Sequence, residues 1–370
     1  MSQDTTKNSL FVKAKETLLT LIAKLQAAQQ EKFVFLLIGR TGVGKSSTIN
    51  SLLGKKIAQV GDYEPTTMGV EVYDGKINGI PFSLIDTPGL CDDLEEVGNN
   101  EKYLEQLRLQ VPRIDSMWFL SRLDDTRVTA DEKRGIQLIS QALTPEVWKY
   151  ALIVFTHAHS VESSRYLEAL NKRTELIRKE IAKYVDAEVA NTVPSVAVDN
   201  MSTTTPDGED WLGELYTTVF VSMSERGIVP FLMATAVDVR PQFEPTDEQI
   251  STSEELLDSS QINISQNSSA DNLQSVSEIL EPKGQSEQPR KKNNHGKEKR
   301  KESPKKTKDT PRIKLNPRQK QAVKKKVIDA QIIPGLATVG AGLGTVFGPI
   351  GAVIGGAIGA AIGLIAWLLE

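Results

Sequence analysis

FVFLLIGRTGVGKSSTINSLL, residues 33–53, is the stretch that decides the fold. A run of apolar, β-prone residues leads into a glycine-bearing loop and then into a helical pattern, which predicts the order strand, loop, helix. Glycines let the backbone approach a phosphate closely, and the N-terminus of the following helix is electropositive. The pattern therefore predicts a phosphate-binding loop for a nucleoside triphosphate, and a loop that only turns the chain explains it less well.

The residue types in this loop predict separate roles for its lysine and its serine. We expect Lys45 to neutralise the outer phosphates and the small hydroxyl of Ser46 to ligate Mg²⁺. The predicted nucleotide-binding residues of the loop are Gly39, Arg40, Thr41, Gly42, Val43, Gly44, Lys45, Ser46 and Ser47.

A second motif, LIDTPGL, follows a predicted hairpin around Asn78-Gly79. Its aspartate, Asp86, is expected to hold Mg²⁺ through water, and the N–H of Gly89 is expected to contact the γ-phosphate. The same residue types also suit a plain turn. A separation of about 40 residues from the phosphate loop favours a nucleotide-sensing turn. Because Leu90 stands where some such enzymes place a water-orienting glutamine, the expected intrinsic hydrolysis is slow.

Two adjacent threonines, Thr66 and Thr67, lie between these motifs in a segment rich in turn residues. A threonine here can close over Mg²⁺ and the γ-phosphate, so both are candidate metal ligands, although threonines are common in any loop. Which of the two would meet the metal stays open.

Polar residues follow three further predicted strands, at the edge of an open α/β sheet where ligands bind. The first set includes Arg122 and Arg127, for which a role at the ligand and a role in surface salt bridges are equally good explanations. The second contains His157, whose ring can pack on a base. The third is Asp199-Asn200, where Asp199 can supply an acceptor for the base. Together the motifs predict an α/β P-loop domain for a nucleoside triphosphate, with a mostly parallel sheet flanked by helices.

The motifs GRTGVGKSSTINSLLG, LIDTPGL, FLSRLDDTRV, VFTHAHS and VDN together resemble the septin-related GTPases, which include the chloroplast outer-envelope import receptors and the AIG-type immune-associated proteins. The resemblance implies that the domain is a P-loop GTPase domain that takes GTP or GDP with Mg²⁺. It also implies a base framed by His157 and Asn200, and Asp199 where the import receptors carry glutamate. It also implies a homodimer in which Arg127 reaches the partner's nucleotide. The residues expected to act in catalysis are Lys45, Thr67, Gly89 and Arg127.

Composition divides the chain of 370 residues. The single cysteine, Cys91, excludes an internal disulfide, and the polar first ten residues do not read as a secretory signal. We expect an amphipathic helix over residues 1–30 that packs on a G domain over 31–240. An acidic, polar and disordered linker is expected over 241–289.

The last part of the chain reverses in character. Residues 290–330 form a strongly basic tract that can bind nucleic acid, serve as a nuclear address or lie on anionic lipid. A glycine-rich C-terminal membrane anchor is expected over 333–370, because residues 333–369 carry no charge. Residues 350–369 would make a helix of about 30 Å, the thickness of a bilayer core. Glycines four apart give that helix a close-packing face. A break is expected at Gly348-Pro349, and residues 335–347, too short to span alone, either form a re-entrant half or lengthen a tilted, kinked span. A buried helix is the alternative, but so much glycine makes a poor helix in water.

The apolar end favours lipid over nucleic acid for the basic tract. The expected protein is a C-terminally membrane-anchored GTP hydrolase with its G domain in the cytoplasm, acting as a dimerising switch with an unidentified protein partner. One alternative is a nucleotide-gated membrane scaffold or receptor with little turnover. The other is a nucleic-acid-associated GTPase that uses the basic tract.

Overall fold

The computed structural model of the chain describes residues 2–54, 71–87, 105, 108–109, 113–239, 312–332 and 343–369. The predicted switch residues Thr66, Thr67 and Gly89 lie outside this part, as do the predicted linker and residues 290–311 of the basic tract.

Among the described residues, six strands form one sheet in the order β2-β3-β1-β4-β5-β6. Only β2 runs antiparallel to its neighbour in this sheet. The predicted α/β architecture with a mostly parallel sheet is therefore confirmed. The strands are β1 (Phe33–Ile38), β2 (Glu71–Ile77), β3 (Ile80–Asp86), β4 (Ser116–Arg122), β5 (Ala151–Thr156) and β6 (Ser195–Ala197).

Helices cover both faces of the sheet, and separate apolar clusters fill the two layers between them. The described helices are α1 (Ser2–Ala28), α2 (Lys45–Leu53), α3 (Ala130–Ala142), α4 (Tyr166–Ile181), α5 (Ala187–Thr192), α6 (Trp211–Ser222), α7 (Glu225–Val239), α8 (Pro317–Asp329), α9 (Leu343–Ile354) and α10 (Gly356–Leu369). The long helix α1 buries Leu18, Leu21 and Leu25 in the same cluster as α7.

Helix α7 is the centre of one of these clusters, because it is apolar around most of its circumference. On its sheet side the ring of Phe231 lies 5.6 Å from the rings of both Phe33 and Phe35 in β1. The ring of Tyr216 in α6 lies at the same distance from Phe231. The opposite side of α7 contacts α10, so the helix is enclosed between the sheet and the C-terminal segment.

The prediction of a single helix over residues 350–369 is wrong. Helices α9 and α10 meet at Gly355 and Gly356, whose φ angles of 64° and 59° lie in the left-handed region that favours glycine. The chain reverses there, and α9 and α10 pack on each other as a helical hairpin. The predicted break at Gly348-Pro349 is also wrong, because Pro349 lies inside α9.

Glycines set how closely the two helices of the hairpin approach. A Cβ atom on Gly359 would collide with the carbonyl oxygen of Gly351, and one on Gly351 would lie 2.9 Å from the backbone nitrogen of Gly363. The predicted close-packing face is therefore used within the hairpin. Within the described ranges, no helix is both long and apolar enough to cross a membrane, so the predicted transmembrane helix is not found there.

Replacing Phe231 by alanine should lower the free energy of unfolding by about 3–5 kcal/mol, because it leaves a cavity among the rings of Phe33, Phe35 and Tyr216. Urea titration of the full chain, followed by circular dichroism, measures this change. Leu167→Ala is the control, since Leu167 is 62% exposed and its loss should change the free energy by less than about 0.5 kcal/mol. Equal losses in the two variants would contradict the assignment of Phe231 to the core.

Candidate nucleotide-binding site

The phosphate loop joins β1 to α2 and is shaped by its glycines. Gly42 and Gly44 have φ angles of 74° and 98°, so the backbone curls in a way that L side chains rarely permit. A Cβ atom on Gly39 would lie 2.7 Å from the carbonyl oxygen of Leu120 in β4, whereas one on Gly42 would meet nothing within 4 Å. The loop is therefore pressed against β4 at its base and open above Gly42.

The ammonium group of Lys45 lies inside the curl of the loop, and its side chain is only 8% exposed. It donates hydrogen bonds to the carbonyl oxygens of Gly39, at 2.9 Å, and Arg40, at 3.3 Å. These two hydrogen-bond partners are neutral and can be displaced by phosphate oxygens, which form stronger, charge-assisted bonds with an ammonium group.

Asp86 lies at the end of β3, beside the phosphate loop. Its Oδ1 atom is 3.8 Å from the Nζ atom of Lys45. The next residue, Thr87, donates from its hydroxyl to the carbonyl oxygen of Leu37 at 2.9 Å, which fixes the strand end against β1. Ser46 follows Lys45 in the first turn of α2. A serine hydroxyl and a carboxylate beside a phosphate loop are the donors that Mg²⁺ takes with phosphate and water, so these residues fit that ion.

In the part of the chain that the structure describes, no group of three or more His, Cys, Asp or Glu residues could hold a metal by itself.

Asn200 approaches the same loop from the segment after β6. Its amide nitrogen donates to the hydroxyl of Thr48 at 3.0 Å, and that hydroxyl donates to the carbonyl oxygen of Gly44 at 2.9 Å. The amide oxygen of Asn200 is buried and has no hydrogen-bond partner among the described residues. A buried acceptor without a donor lowers the stability of the folded protein, because the group has lost its hydrogen bonds to water. This oxygen is therefore suited to an N–H group of a ligand.

His157 occupies the end of β5 in a left-handed conformation, with φ at 57°. Burial lowers the pKa of His157, and the positive charge of Arg122 lowers it further. Both effects favour the neutral imidazole, and its Nδ1 atom lies 3.1 Å from the hydroxyl oxygen of Thr156. A neutral, half-buried ring at a strand end can pack against a planar base.

Asp199 is almost fully buried, with 1% of its surface exposed, and its Oδ1 atom is engaged within its own neighbourhood. It accepts a hydrogen bond from the backbone N–H of Met201 at 3.0 Å and lies 2.8 Å from Nδ1 of His159. The expected contact of Asp199 with a base stays a prediction. The link to His159 was not predictable from the sequence, since the two residues lie on different loops.

Arg40 ties the phosphate loop to the segment after β4. Its guanidinium contacts Asp125 at 3.0 Å and Asp131 at 4.0 Å. The neighbouring arginine, Arg122, pairs with Asp124 at 2.7 Å and thereby lowers the pKa of that carboxyl group. For Arg122 the structure therefore shows the surface salt bridge that the sequence had left as one of two possibilities.

Arg127 is exposed on the loop between β4 and α3, and a buried polar cluster holds the two ends of this loop. Glu132 and Arg173 are each 2% exposed and pair at 2.9 Å, and both also bond the hydroxyl of Ser121. The other carboxylate oxygen of Glu132 accepts the backbone N–H of Thr129 in a capping box. The sequence gives no signal for this pair, because Glu132 and Arg173 are 41 residues apart.

A glycine-curled loop between a parallel strand and a helix, with a buried lysine beside a strand-end aspartate, defines a phosphate-loop nucleotide-binding domain. More specifically, the chain belongs to the AIG1 family, which it matches over residues 33–232, more than half of its length. The resemblance inferred from the motifs is thereby confirmed.

Several relatives share this region. Translocase of chloroplast 33 from Arabidopsis thaliana is 28% identical over 218 residues, which are 54% of this chain and 72% of that protein. GTP-binding protein A from Dictyostelium discoideum is 36% identical over 147 residues, 40% of this chain and 32% of that protein. Translocase of chloroplast 159 from Arabidopsis thaliana is 32% identical over 141 residues, and the chain spans only 9% of its length.

Solved structures of Toc33 from Arabidopsis thaliana also match. The complex with GDP and Mg²⁺ is 28% identical, with a TM-score of 0.44, over 56% of this chain and 90% of that one. A dimerisation-deficient mutant of the same protein, R130A, gives 27% identity and a TM-score of 0.45 over the same shares.

Arg173→Met should lower the free energy of unfolding by about 3 kcal/mol or more, because it leaves the carboxylate of Glu132 buried without its cation. Chemical denaturation of the full chain measures the loss. Lys172→Met removes a neighbouring exposed cation and should change stability by less than about 0.5 kcal/mol. If both variants unfold at the same denaturant concentration as the parent, the buried pair does not support the loop.

Proposed function

We propose that this chain is a GTP hydrolase that binds GTP with Mg²⁺, releases GDP, dimerises through its nucleotide face and acts at a membrane surface. The observation that carries the proposal is the buried ammonium of Lys45, held inside a glycine loop and 3.8 Å from Asp86. A cation at this position is suited to a chain of phosphates.

The described residues are proposed to bind and orient the nucleotide. Lys45 exchanges the carbonyl oxygens of Gly39 and Arg40 for phosphate oxygens, and the N-terminus of α2 adds its positive dipole. Ser46 and Asp86 hold Mg²⁺, which neutralises charge on the phosphates when it is bound. Sensing of the γ-phosphate by Thr66, Thr67 and Gly89 is part of the same proposal.

Guanine is the proposed base. GTP-binding protein A is 36% identical to this chain over the matching region, which supports a guanine nucleotide. The buried amide oxygen of Asn200 is placed to accept an N–H group, and the neutral ring of His157 is available for packing. Contact of Asp199 with the base is part of the same proposal.

The nucleotide face is the proposed dimer surface. Arg127 is exposed there on a loop whose ends are fixed by the buried Glu132 and Arg173 pair, so its guanidinium is presented outward from a rigid base. An arginine supplied across an interface stabilises the charge that develops during phosphoryl transfer. Dimerisation would therefore raise the rate of GTP turnover, which is expected to be slow in the monomer because Leu90 stands in place of a water-orienting glutamine.

Attachment to a membrane is the last part of the proposal. The described end of the basic tract forms α8, which carries five Lys or Arg residues within Pro317–Asp329, and the apolar hairpin follows it. Anionic headgroups attract such a helix, and lipid chains accept the apolar hairpin. At about 18 Å and 21 Å, α9 and α10 are shorter than a bilayer core of about 30 Å, so the hairpin would enter one leaflet.

The nucleotide assignment predicts that the full chain binds GTP at least tenfold more tightly than ATP in a fluorescence titration. Lys45→Ala should weaken GTP binding by at least a hundredfold, because the phosphates lose their buried cation. Lys76→Ala, which removes an exposed cation on β2, should bind GTP like the parent. Equal affinities for GTP and ATP would rule out guanine selection, while unchanged binding in Lys45→Ala would rule out the site itself.

The dimer assignment predicts that Arg127→Ala lowers GTP turnover per molecule at least tenfold at high protein concentration, since the arginine that crosses the interface is missing. At concentrations low enough to keep the parent monomeric, the two rates should coincide. Lys179→Ala, an exposed cation on α4, is the control and should behave like the parent. Turnover in Arg127→Ala that rises with concentration as in the parent would contradict the role of this residue.

A further inference from the structure

The C-terminal part of the described chain, residues 312–332 and 343–369, docks on the nucleotide-binding domain, and we call it the C-terminal module. Helix α10 packs on the outer side of α7 and also contacts α1 and α8. One lysine joins the domain to the module: Lys24 of α1 donates to the carbonyl oxygen of Gln331 at 2.6 Å. Within the module, Lys324 of α8 donates to the carbonyl oxygen of Leu369 at 3.1 Å. The ammonium of Lys320 also lies 4.4 Å above the ring of Trp367.

The first residue of the module, Arg312, reaches the helix that begins at the phosphate loop. Its guanidinium donates to the carbonyl oxygens of Ser51 and Leu52, the latter at 2.7 Å, at the C-terminal end of α2. It also pairs with Asp238 of α7 at 3.2 Å. A cation on the last carbonyl groups of a helix satisfies them and complements the helix dipole. Arg312 is therefore a C-terminal cap on α2, supplied from outside that helix.

The cap is close to the nucleotide site because α2 has only nine residues. Its first residue is Lys45, and its Thr48 bonds Asn200. Arg312 and Asn200 also line one cavity of about 580 Å³, between α2 and the loop that precedes α6. A movement of α2 when phosphate binds at one end would be felt by Arg312 at the other.

Docking of the module also requires a glycine in α6. A Cβ atom on Gly213 would collide with the carbonyl oxygen of Lys314 and lie 3.1 Å from the side-chain oxygen of Gln319. Gln319 in turn donates to Glu214 at 2.8 Å. Glycine is a poorer helix former than alanine, so Gly213 does not stabilise α6 itself. Its lack of a Cβ atom instead leaves room for the backbone of the module.

We propose that the C-terminal module is a latch that alternates between two positions, docked on α7 or released to a bilayer, and that Arg312 couples this choice to the nucleotide on α2. The proposal rests on the membrane attachment stated above and adds its regulation. The two positions exclude each other, because Ile362, Ile365 and Leu368, which are nearly fully buried when docked, are among the side chains that lipid would have to receive.

Coupling of this kind is reciprocal. If the nucleotide state changes the affinity of the chain for vesicles by some factor, vesicles must change the relative affinity for the two nucleotides by the same factor. The docked position is favoured in water, because release exposes apolar surface on both α7 and α10. A membrane would cover the apolar surface of the hairpin but not that of α7.

The decisive experiment is a thermodynamic cycle on the full chain. Flotation measures binding to vesicles of phosphatidylcholine with about a third phosphatidylserine, with either GDP or the non-hydrolysable analogue GMPPNP present. Separate titrations compare the affinities for the two nucleotides with and without vesicles. We expect a coupling factor of at least fivefold that agrees between the two legs. A factor within twofold of unity in the parent chain would overturn the coupling.

Matched variants locate the coupling. Arg312→Ala should reduce the factor to within twofold of unity, because α2 loses its cap, and should raise vesicle binding with either nucleotide. Arg318→Ala removes the same charge from an exposed position on α8 and should keep the parent's factor. If Arg312→Ala retains the coupling, or Arg318→Ala loses it equally, Arg312 is not the link.

Gly213→Ala tests docking without touching the nucleotide or the basic residues, and α6 should fold at least as well with alanine. Hydrogen exchange in residues 225–239 should become at least tenfold faster in this variant, and vesicle binding should rise. Unchanged exchange would overturn docking at this surface. If exchange rises but neither this variant nor the parent floats, the membrane attachment fails and the latch fails with it, while docking of the module on α7 stands. Flotation of the parent without coupling would overturn the latch alone, so the two failures are told apart.

Discussion

The parallel pairing of β1 with β3 on one side and β4 on the other is the constraint on which the site depends. Parallel neighbours bring their carboxyl ends to the same edge of the sheet. The phosphate loop, Asp86 and the loop that bears Arg127 therefore lie together there because of strand pairing, and no contact among their side chains is needed to bring them together. The pairing is in turn fixed by burial, since all six residues of β1 are enclosed between two apolar layers. Chemistry at this edge is therefore a consequence of packing beneath it.

How much of the site could be predicted follows from how local its parts are. The curl of the loop and the position of Lys45 depend on residues within one short segment, so the sequence was sufficient for them. The support of the Arg127 loop was not predictable, because Glu132 and Arg173 meet only after α3 and α4 have packed on the sheet. The pairing of His159 with Asp199 is of the same kind, since each residue satisfies a partner on another loop.

The C-terminal segment shows why composition misleads where glycine is abundant. Twenty apolar residues read as one helix long enough to span a bilayer, and regular glycines read as its contact face. The same lack of a Cβ atom also allows the left-handed angles at Gly355 and Gly356, so one property permits both a contact face and a reversal. The choice between them depends on α7, whose outer apolar side is covered when the chain reverses.

The enclosure of α7 has a consequence for the order of synthesis. This helix ends at Val239, and the hairpin that covers its outer side begins only at Leu343, about a hundred residues later in the chain. At translation rates of about 5–20 residues per second, α7 spends roughly 5–20 s outside the ribosome before its cover exists. The nascent chain therefore presents a transient apolar surface to chaperones, and a ribosome that stalls between Val239 and Leu343 prolongs its exposure.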